Sequence, residues 1–357
     1  MLSPLEAEIR ACIAAQGPIS VAEYMALCNA HYYSTRDPLG TRGDFITAPE
    51  VSQMFGELIG LWMAAVWREM GAPPSVRIVE LGPGRGTLMQ DALRAAKIVP
   101  GFRDAISLHL VEISPVLKLK HGETLSNSGV LIAWHERLQD VPDGPAIIVA
   151  NEFVDALPVH QAVKRADGWH ERRIGIEAGK LVFTEAPETL AGFDHLPLSI
   201  GNAHQGAVFE WRDEDAARAL GRRVAQGGAA LVIDYGHVQS AAGETLQAVG
   251  AHAYADPLTR PGELDLTAHV DFEALVRTVT SAGGKAFGPI PQGDFLRRLG
   301  IEARAAKLKA NATPEVAARI DAALVRLSGS GRDQMGRLFK AVAFADASLG
   351  AVPAFET

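Results

Sequence analysis

The stretch Arg77-Ile-Val-Glu-Leu-Gly-Pro-Gly-Arg-Gly-Thr-Leu88 constrains this chain more than any other. Ile78 to Leu81 reads as a short buried strand. Gly82, Gly84 and Gly86 then form a turn nearly free of side chains. Thr87 to Ala96 reads as a helix, with Leu88, Met89, Ala92, Leu93 and Ala96 along one face. Strand, glycine turn and helix in direct succession is how a doubly wound sheet opens a nucleotide site. Glycine takes positive φ and lets a ligand approach the backbone. The expected fold is therefore α/β, with a doubly wound, mostly parallel sheet.

The turn also says which nucleotide to expect. A dinucleotide fingerprint is G-x-G-x-x-G, with the pyrophosphate at the helix N-terminus. This turn is G-x-G-x-G, and Pro83 inside it removes an N–H that a phosphate would use. Glu80, just before the first glycine, would repel a diphosphate. It suits a ligand carrying an ammonium and a sulfonium. E-x-G-x-G-x-G resembles motif I of the class I S-adenosyl-L-methionine (SAM) methyltransferases, which are Rossmann-like. The competing reading is a structural turn with no ligand.

The 357 residues are 48% apolar and 21% charged, enough to bury a large core. The net charge is −8, and no Lys/Arg block marks a nucleic-acid footprint, so no nucleic-acid partner is expected. An acidic surface favours a basic substrate such as an arginine-bearing peptide. Cys12 and Cys28 provide neither a disulfide scaffold nor a metal framework, and no metal is expected. The start lacks a signal-peptide core, Glu6 and Glu8 argue against a transit peptide, and no apolar run approaches a membrane span. A cytoplasmic protein without membrane insertion is the expectation.

Taken in order, Ser3-Pro-Leu-Glu6 and Ser20-Val-Ala-Glu23 are capping boxes, the second opening a helix to about Ala30. His31 to Glu50 reads as a loop carrying Tyr32, Tyr33, Asp44 and Phe45. Thr47-Ala-Pro-Glu50 reads as a third capping box, starting one long helix with Val51, Phe55, Leu58, Ile59, Trp62 and Val66 on its apolar stripe. Ile106 to Val111 is a second strand, and Glu112 at its end is placed to accept from ribose hydroxyls. Val130 to Trp134 is a third strand, followed by Leu138, a candidate adenine contact. Ala146 to Ala150 is a fourth. It ends in Asn151-Glu152-Phe-Val-Asp155, on the rim where ligands sit. Val159 to Arg165, Trp169 to Glu177 and Leu181 to Ala186 alternate with period two and form a β-meander. Ala229 to Ile233 is a fifth strand ending in Asp234-Tyr-Gly-His237. The region to Asp265 reads as loop, Asp294 to Leu327 as helical, and Leu338 to Ala345 as the last strand.

Five motifs in fixed order carry a closer resemblance. Tyr32-Tyr-Ser with Gly43-Asp-Phe-Ile-Thr-Ala-Pro-Glu50, Glu80-Leu-Gly-Pro-Gly-Arg-Gly, Asn151 to His160, Asp234-Tyr-Gly, and Asp265-Leu-Thr-Ala-His-Val-Asp271 together resemble the MidA family. These are bacterial relatives of the mitochondrial methyltransferase that assists assembly of respiratory complex I. The resemblance implies a SAM-dependent protein arginine N-methyltransferase that dimethylates symmetrically. It also implies a protein partner with a target arginine, such as the quinone-site subunit of complex I. The cofactor would be bound by Tyr33, Gly43, Asp44, Phe45, Thr47, Glu80, Gly82, Gly84, Gly86, Thr87, Glu112, Leu138 and Asn151. Glu152 and Asp155 would orient the guanidinium, with His237 on the same rim.

The expected organisation is an N-terminal helical arm with a cofactor-covering loop over 1–75, then a methyltransferase domain over 76–357. That domain carries insertions at about 159–205 and 237–270 and a helical segment at about 291–330. Competing functions are a non-catalytic SAM-binding assembly factor for complex I and a methyltransferase for a small molecule or RNA. A nicotinamide oxidoreductase is disfavoured by Pro83.

Overall fold

A computed structural model describes residues 2–35, 46–193 and 196–356. The chain divides into two compact units. The first comprises Met1–Phe45, Asp155–Glu214 and His237–Ala274; the second comprises Ile46–Val154, Asp215–Gly236 and Leu275–Thr357.

The second unit is built on one sheet. Its strands, numbered along the chain, are β1 (Val76–Leu81), β2 (Ile106–Val111), β3 (Ile132–His135), β4 (Ala146–Asn151), β5 (Gly228–His237), β6 (Lys285–Pro291) and β7 (Phe339–Ala345). They lie side by side in the order β6-β7-β5-β4-β1-β2-β3. The pairs from β5 to β3 are parallel, and β7 runs antiparallel to β5 and β6. The expected mostly parallel α/β sheet is present. Its order departs from a dinucleotide-binding sheet where β7 enters between β5 and β6. Strand order reverses between β1 and β4, so ligands belong beyond the carboxyl ends of those two strands.

Strand residues two apart face one way. Ile78, Leu108, Leu110, Ile147, Val149, Leu231, Ala341 and Ala343 share the main apolar core with helices Gln53–Glu69 and Thr87–Ala96. Alternate residues such as Val79, Ile148, Ala230, Val232 and Phe344 are buried too. Burial on both faces is why these strands read as continuous apolar runs.

Two glycines explain why the long helix belongs with the sheet and not with an N-terminal arm. A methyl carbon on Gly60 would lie 2.3 Å from the Ala92 carbonyl oxygen, and one on Gly56 2.8 Å from that of Leu88. The helices touch backbone to backbone, so the unit boundary falls at 45/46 instead of 75/76. That helix is also not continuous from Thr47. Ala48–Val51 is a separate short helix, extended Ser52 (φ −163°) breaks the chain, and the Ser52 hydroxyl accepts from Met54 N to start Gln53–Glu69. The segment near 291–330 is three helices, Gln292–Arg298, Ile301–Lys309 and Pro314–Ser328, and β6 precedes them as a strand that the pattern did not announce.

The first unit is largely antiparallel. Ile19–Ser20, Trp169–Glu177, His160–Lys164 and Val208–Trp211 lie in that order, with Lys180–Thr189 on Trp169–Glu177. The meander is thus a five-stranded sheet, two of whose strands come from outside the predicted run. The predicted loop before Asp265 forms a smaller sheet of Ala253–Ala255, Gln247–Gly250 and Asp265–Thr267. Leu5, Ile9, Ile13, Tyr24 and Met25 of the N-terminal helices pack with Val159, Ile174, Leu264 and Leu266. The second N-terminal helix runs Val21–Thr35, so Tyr32 and Tyr33 are helical and not in a loop. Its apolar face outweighs the weak helix preference of the two tyrosines.

Candidate functional site

The site is assembled at the carboxyl ends of β1, β2 and β4. Gly82, Gly84 and Gly86 all adopt left-handed backbone, with φ of +62°, +57° and +80°. Only glycine takes three such positions in succession cheaply. Gly82 is further required because a methyl there would meet the Phe153 ring at 2.8 Å. Gly86 caps helix Thr87–Ala96 with no side-chain bond, so the first amides of that helix face outward at its positive end.

Glu80, the acid before the turn, is 3% exposed. Burial alone pushes its carboxyl up to about 8. Its Oε2 is buried without a hydrogen-bond partner among the described residues, and so is Oδ1 of Asn151. Buried acceptors with no donor are costly, and they fit a ligand that brings N–H groups and positive charge. This is the chemistry expected of the SAM amino acid end.

Glu112 lies past β2, 8% exposed, and its Oε1 accepts from Ser114 N at 2.8 Å. Burial raises its carboxyl, and the Ser114 and Ile113 amides act in the opposite direction. Ser114 in turn caps helix Pro115–Leu125, accepting from Leu117 N at 3.2 Å. Leu138 is buried at the start of a single 3-10 turn, Leu138–Asp140.

At the end of β4 the chain bends sharply. Glu152 holds φ +49°, an uncommon backbone state for a residue with a side chain. Its N–H donates to Ile233 O at 2.9 Å. Its Oε1 accepts from Ala48 N at 2.9 Å and Asn151 Nδ2 at 3.2 Å. Fully buried Asp234 braces the bend: Oδ2 accepts from Val154 N and Oδ1 from Tyr235 N, both at 2.9 Å. A strained residue held by several independent contacts is typical of a functional rim.

The structure therefore gathers Glu80, the three glycines, Thr87, Glu112, Leu138, Asn151, Glu152 and Thr47 in one unit. Tyr33, Asp155 and His237 belong to the first unit. There the Tyr33 hydroxyl donates to Asp265 Oδ1 at 2.7 Å. Burial and then the charges of Asp265 and Asp155 hold the Tyr33 hydroxyl protonated, well above its ordinary range. Asp155 is 5% exposed, and its carbonyl accepts from Ala268 N and Arg212 Nη2, both at 3.1 Å. His237 Nε2 faces Asp271 Oδ2 at 4.0 Å. Gly43, Asp44 and Phe45 lie outside the described residues.

Sequence reasoning missed three contributors. Glu50, read as a capping acid, instead accepts from the Thr87 hydroxyl at 2.5 Å and faces Arg85 Nη1 at 3.6 Å. Thr47 makes no side-chain cap bond. His121 is fully buried, and its Nε2 lies 2.8 Å from Gly84 O. Because a carbonyl only accepts, the imidazole carries its proton on Nε2. Phe153 sets the floor under Gly82. No local pattern marks His121 or Phe153. Glu50 was visible, but two physical roles competed for it. Among the described residues, no helix is long and apolar enough to cross a membrane, and no group of three or more His, Cys, Asp or Glu could hold a metal ion.

Comparison with known proteins agrees with this geometry. Residues 58–290 match the model of a family of S-adenosyl-L-methionine-dependent methyltransferases. The chain is similar to the Drosophila melanogaster homolog of mitochondrial protein arginine methyltransferase NDUFAF7. The two are 39% identical over 384 residues, covering 97% of this chain and 86% of the relative. The Homo sapiens protein arginine methyltransferase NDUFAF7 is 38% identical, with 85% of this chain and 75% of the relative covered. A crystal structure from Burkholderia thailandensis, bound to S-adenosyl-homocysteine, superposes with a TM-score of 0.84 at 29% identity. It covers 98% of this chain and 94% of the other.

Proposed function

This chain belongs to the MidA-like family of S-adenosyl-L-methionine-dependent methyltransferases, and from that premise we propose that it is a protein arginine N-methyltransferase. SAM, the cofactor, supplies a methyl group on a sulfonium that is already a good leaving group. The protein's task is then to hold the acceptor nitrogen in line with it. Positioning of this kind is worth roughly 7–11 kcal/mol.

The observation that carries the proposal is Glu152, an acid held at φ +49° beside Asn151 on the rim of β4. A guanidinium is protonated at neutral pH and its lone pairs are delocalised. A carboxylate accepting from one of its nitrogens draws positive charge there and exposes another for attack. The new N–CH3 bond would form on that second nitrogen as the S–CH3 bond of the sulfonium breaks, and the proton this nitrogen loses would pass to solvent. In this reading Glu152 would hold the guanidinium through that change. Glu80, Gly82, Gly84, Gly86, Thr87, Glu112, Leu138 and Asn151 would hold the cofactor. The names of the relatives support arginine as the acceptor. The family resemblance adds symmetric dimethylation of a respiratory complex I subunit.

The test is transfer of labelled methyl from SAM into an extract of cells lacking the protein, fractionated into protein, RNA and small molecules. Label should enter one protein band at arginine. It should be lost with Gly84→Val and with Glu152→Gln, the latter retaining cofactor affinity. Glu152→Gln keeps an oxygen for Ala48 N, so the bend survives while the charge goes. Unchanged turnover in that variant removes Glu152 from the mechanism. Label confined to RNA or small molecules overturns the protein-substrate reading.

A further inference from the structure

The glycine turn is soft by composition. Gly82, Gly84 and Gly86 give it three residues with wide conformational freedom, and side-chain packing within the turn is minimal. A cofactor that must find this turn in one shape gains from anything that holds that shape beforehand. In this structure two side chains from other elements do so. His121, on helix Pro115–Leu125, donates to Gly84 O at 2.8 Å. Glu50, on helix Ala48–Val51, grips the other end of the turn.

The grip is specific. Glu50 Oε1 accepts from the Thr87 hydroxyl at 2.5 Å, and Oε2 lies 3.6 Å from Arg85 Nη1. Arg85 and Thr87 flank Gly86, whose φ of +80° is the last left-handed step before the helix. One carboxylate thus spans the left-handed joint at Gly86. Its side chain is 18% exposed, so water competes weakly for it. The helix that carries Glu50 has only four residues and cannot hold itself. It is fixed at its first residue, where Ala48 N donates to Glu152 Oε1 at 2.9 Å.

We propose that Glu50 is a positioning residue for cofactor binding, and that Ile46–Val51 is a strap joining the glycine turn to the acid at the end of β4. The clamp on the turn concerns the cofactor alone. Only its tie to Glu152 rests on the arginine reading above. A charge-assisted hydrogen bond of this kind favours the closed arrangement roughly tenfold or more. When the closed fraction falls, the apparent dissociation constant rises by the same factor.

The experiment is calorimetric binding of S-adenosylhomocysteine to the full chain with no acceptor present, so its outcome is independent of what is methylated. Glu50→Ala should raise Kd about 10-fold, and Thr87→Val by about the same. The double variant should also lie about 10-fold up, not 100-fold, because both changes remove one bond. Glu50→Gln, which keeps an oxygen for Thr87, should recover part of the loss. Hydrogen exchange at residues 84–88 should quicken in Glu50→Ala without a fall in Tm of the whole protein. Should Glu50→Ala fail to fold, Glu50→Gln carries the test, and parent-like affinity in a folded Glu50→Gln overturns the proposal. Parent-like affinity in a folded Glu50→Ala overturns the proposal. So do single effects that multiply in the double variant.

Discussion

Glu80 gives the site a measurable proton linkage. Its carboxyl moves from an ordinary 4.5 to about 8, and burial is the cause. At about 1.4 kcal/mol per unit, ionising it in the folded protein costs up to about 5 kcal/mol. The sign follows from proton counting. Below pH 4.5 both folded and unfolded chains hold the proton. Between pH 4.5 and about 8 the unfolded chain releases it while the folded chain keeps it, so stability falls as pH rises through that window. Above about 8 the loss is complete. Glu80→Gln cannot titrate, and its stability should lack this slope. Urea midpoints for parent and variant without cofactor, taken from pH 5 to pH 9, should diverge progressively and then run parallel. At pH 7 the accumulated difference should be about 3 kcal/mol. A cationic ligand beside Glu80 favours its ionised form. Cofactor binding at pH 7 should therefore release up to about one more proton in the parent than in Glu80→Gln, read by calorimetry in buffers of different ionisation enthalpy. Parallel stability profiles from pH 5 to 8, or equal proton release by the two proteins, would refute the reasoning.

Other outcomes follow from single contacts. Gly60→Ala should cost about 3 kcal/mol in denaturant unfolding, because its new methyl would meet the Ala92 carbonyl oxygen at 2.3 Å. Gly82→Ala should remove most SAM affinity by calorimetry, since it adds strain at φ +62° to a 2.8 Å clash with Phe153. Buried Glu57 accepts from Arg304 at 2.7 and 2.9 Å and from Arg94 at 3.0 Å. Burial opposes its charge, but those two arginines overcome it and its carboxyl lies below the ordinary range. Glu57→Ala should cost about 3 kcal/mol at neutral pH. The difference should shrink as pH falls from the ordinary carboxylate range through the lowered value in the folded protein, as urea midpoints would show.

What the sequence determined by itself was whatever rests on nearest neighbours along the chain. The short buried strand runs from Ile78 to Leu81 and from Ala146 to Ala150, the left-handed glycines, the Ser3 and Ser20 caps and the acids closing β1 and β2 all belong here. Each depends on local backbone geometry or on a period of two or 3.6, and so can be read from a single segment. The parallel sheet and its cofactor followed from them. Tertiary structure decided where one residue had several physically sound partners. Glu50 could have closed a capping box, and its carboxylate went to Thr87 and Arg85, thirty-five or more positions along the chain. Tyr33 could have covered a ligand from a loop, and its hydroxyl went to Asp265 from a helix. His121 had no local signature, because its importance is one bond to Gly84 O across two elements. The loop before Asp265 became a sheet because strand pairing is set by partners far apart in sequence. In each case the choice was made by contacts between segments that only the folded chain brings together.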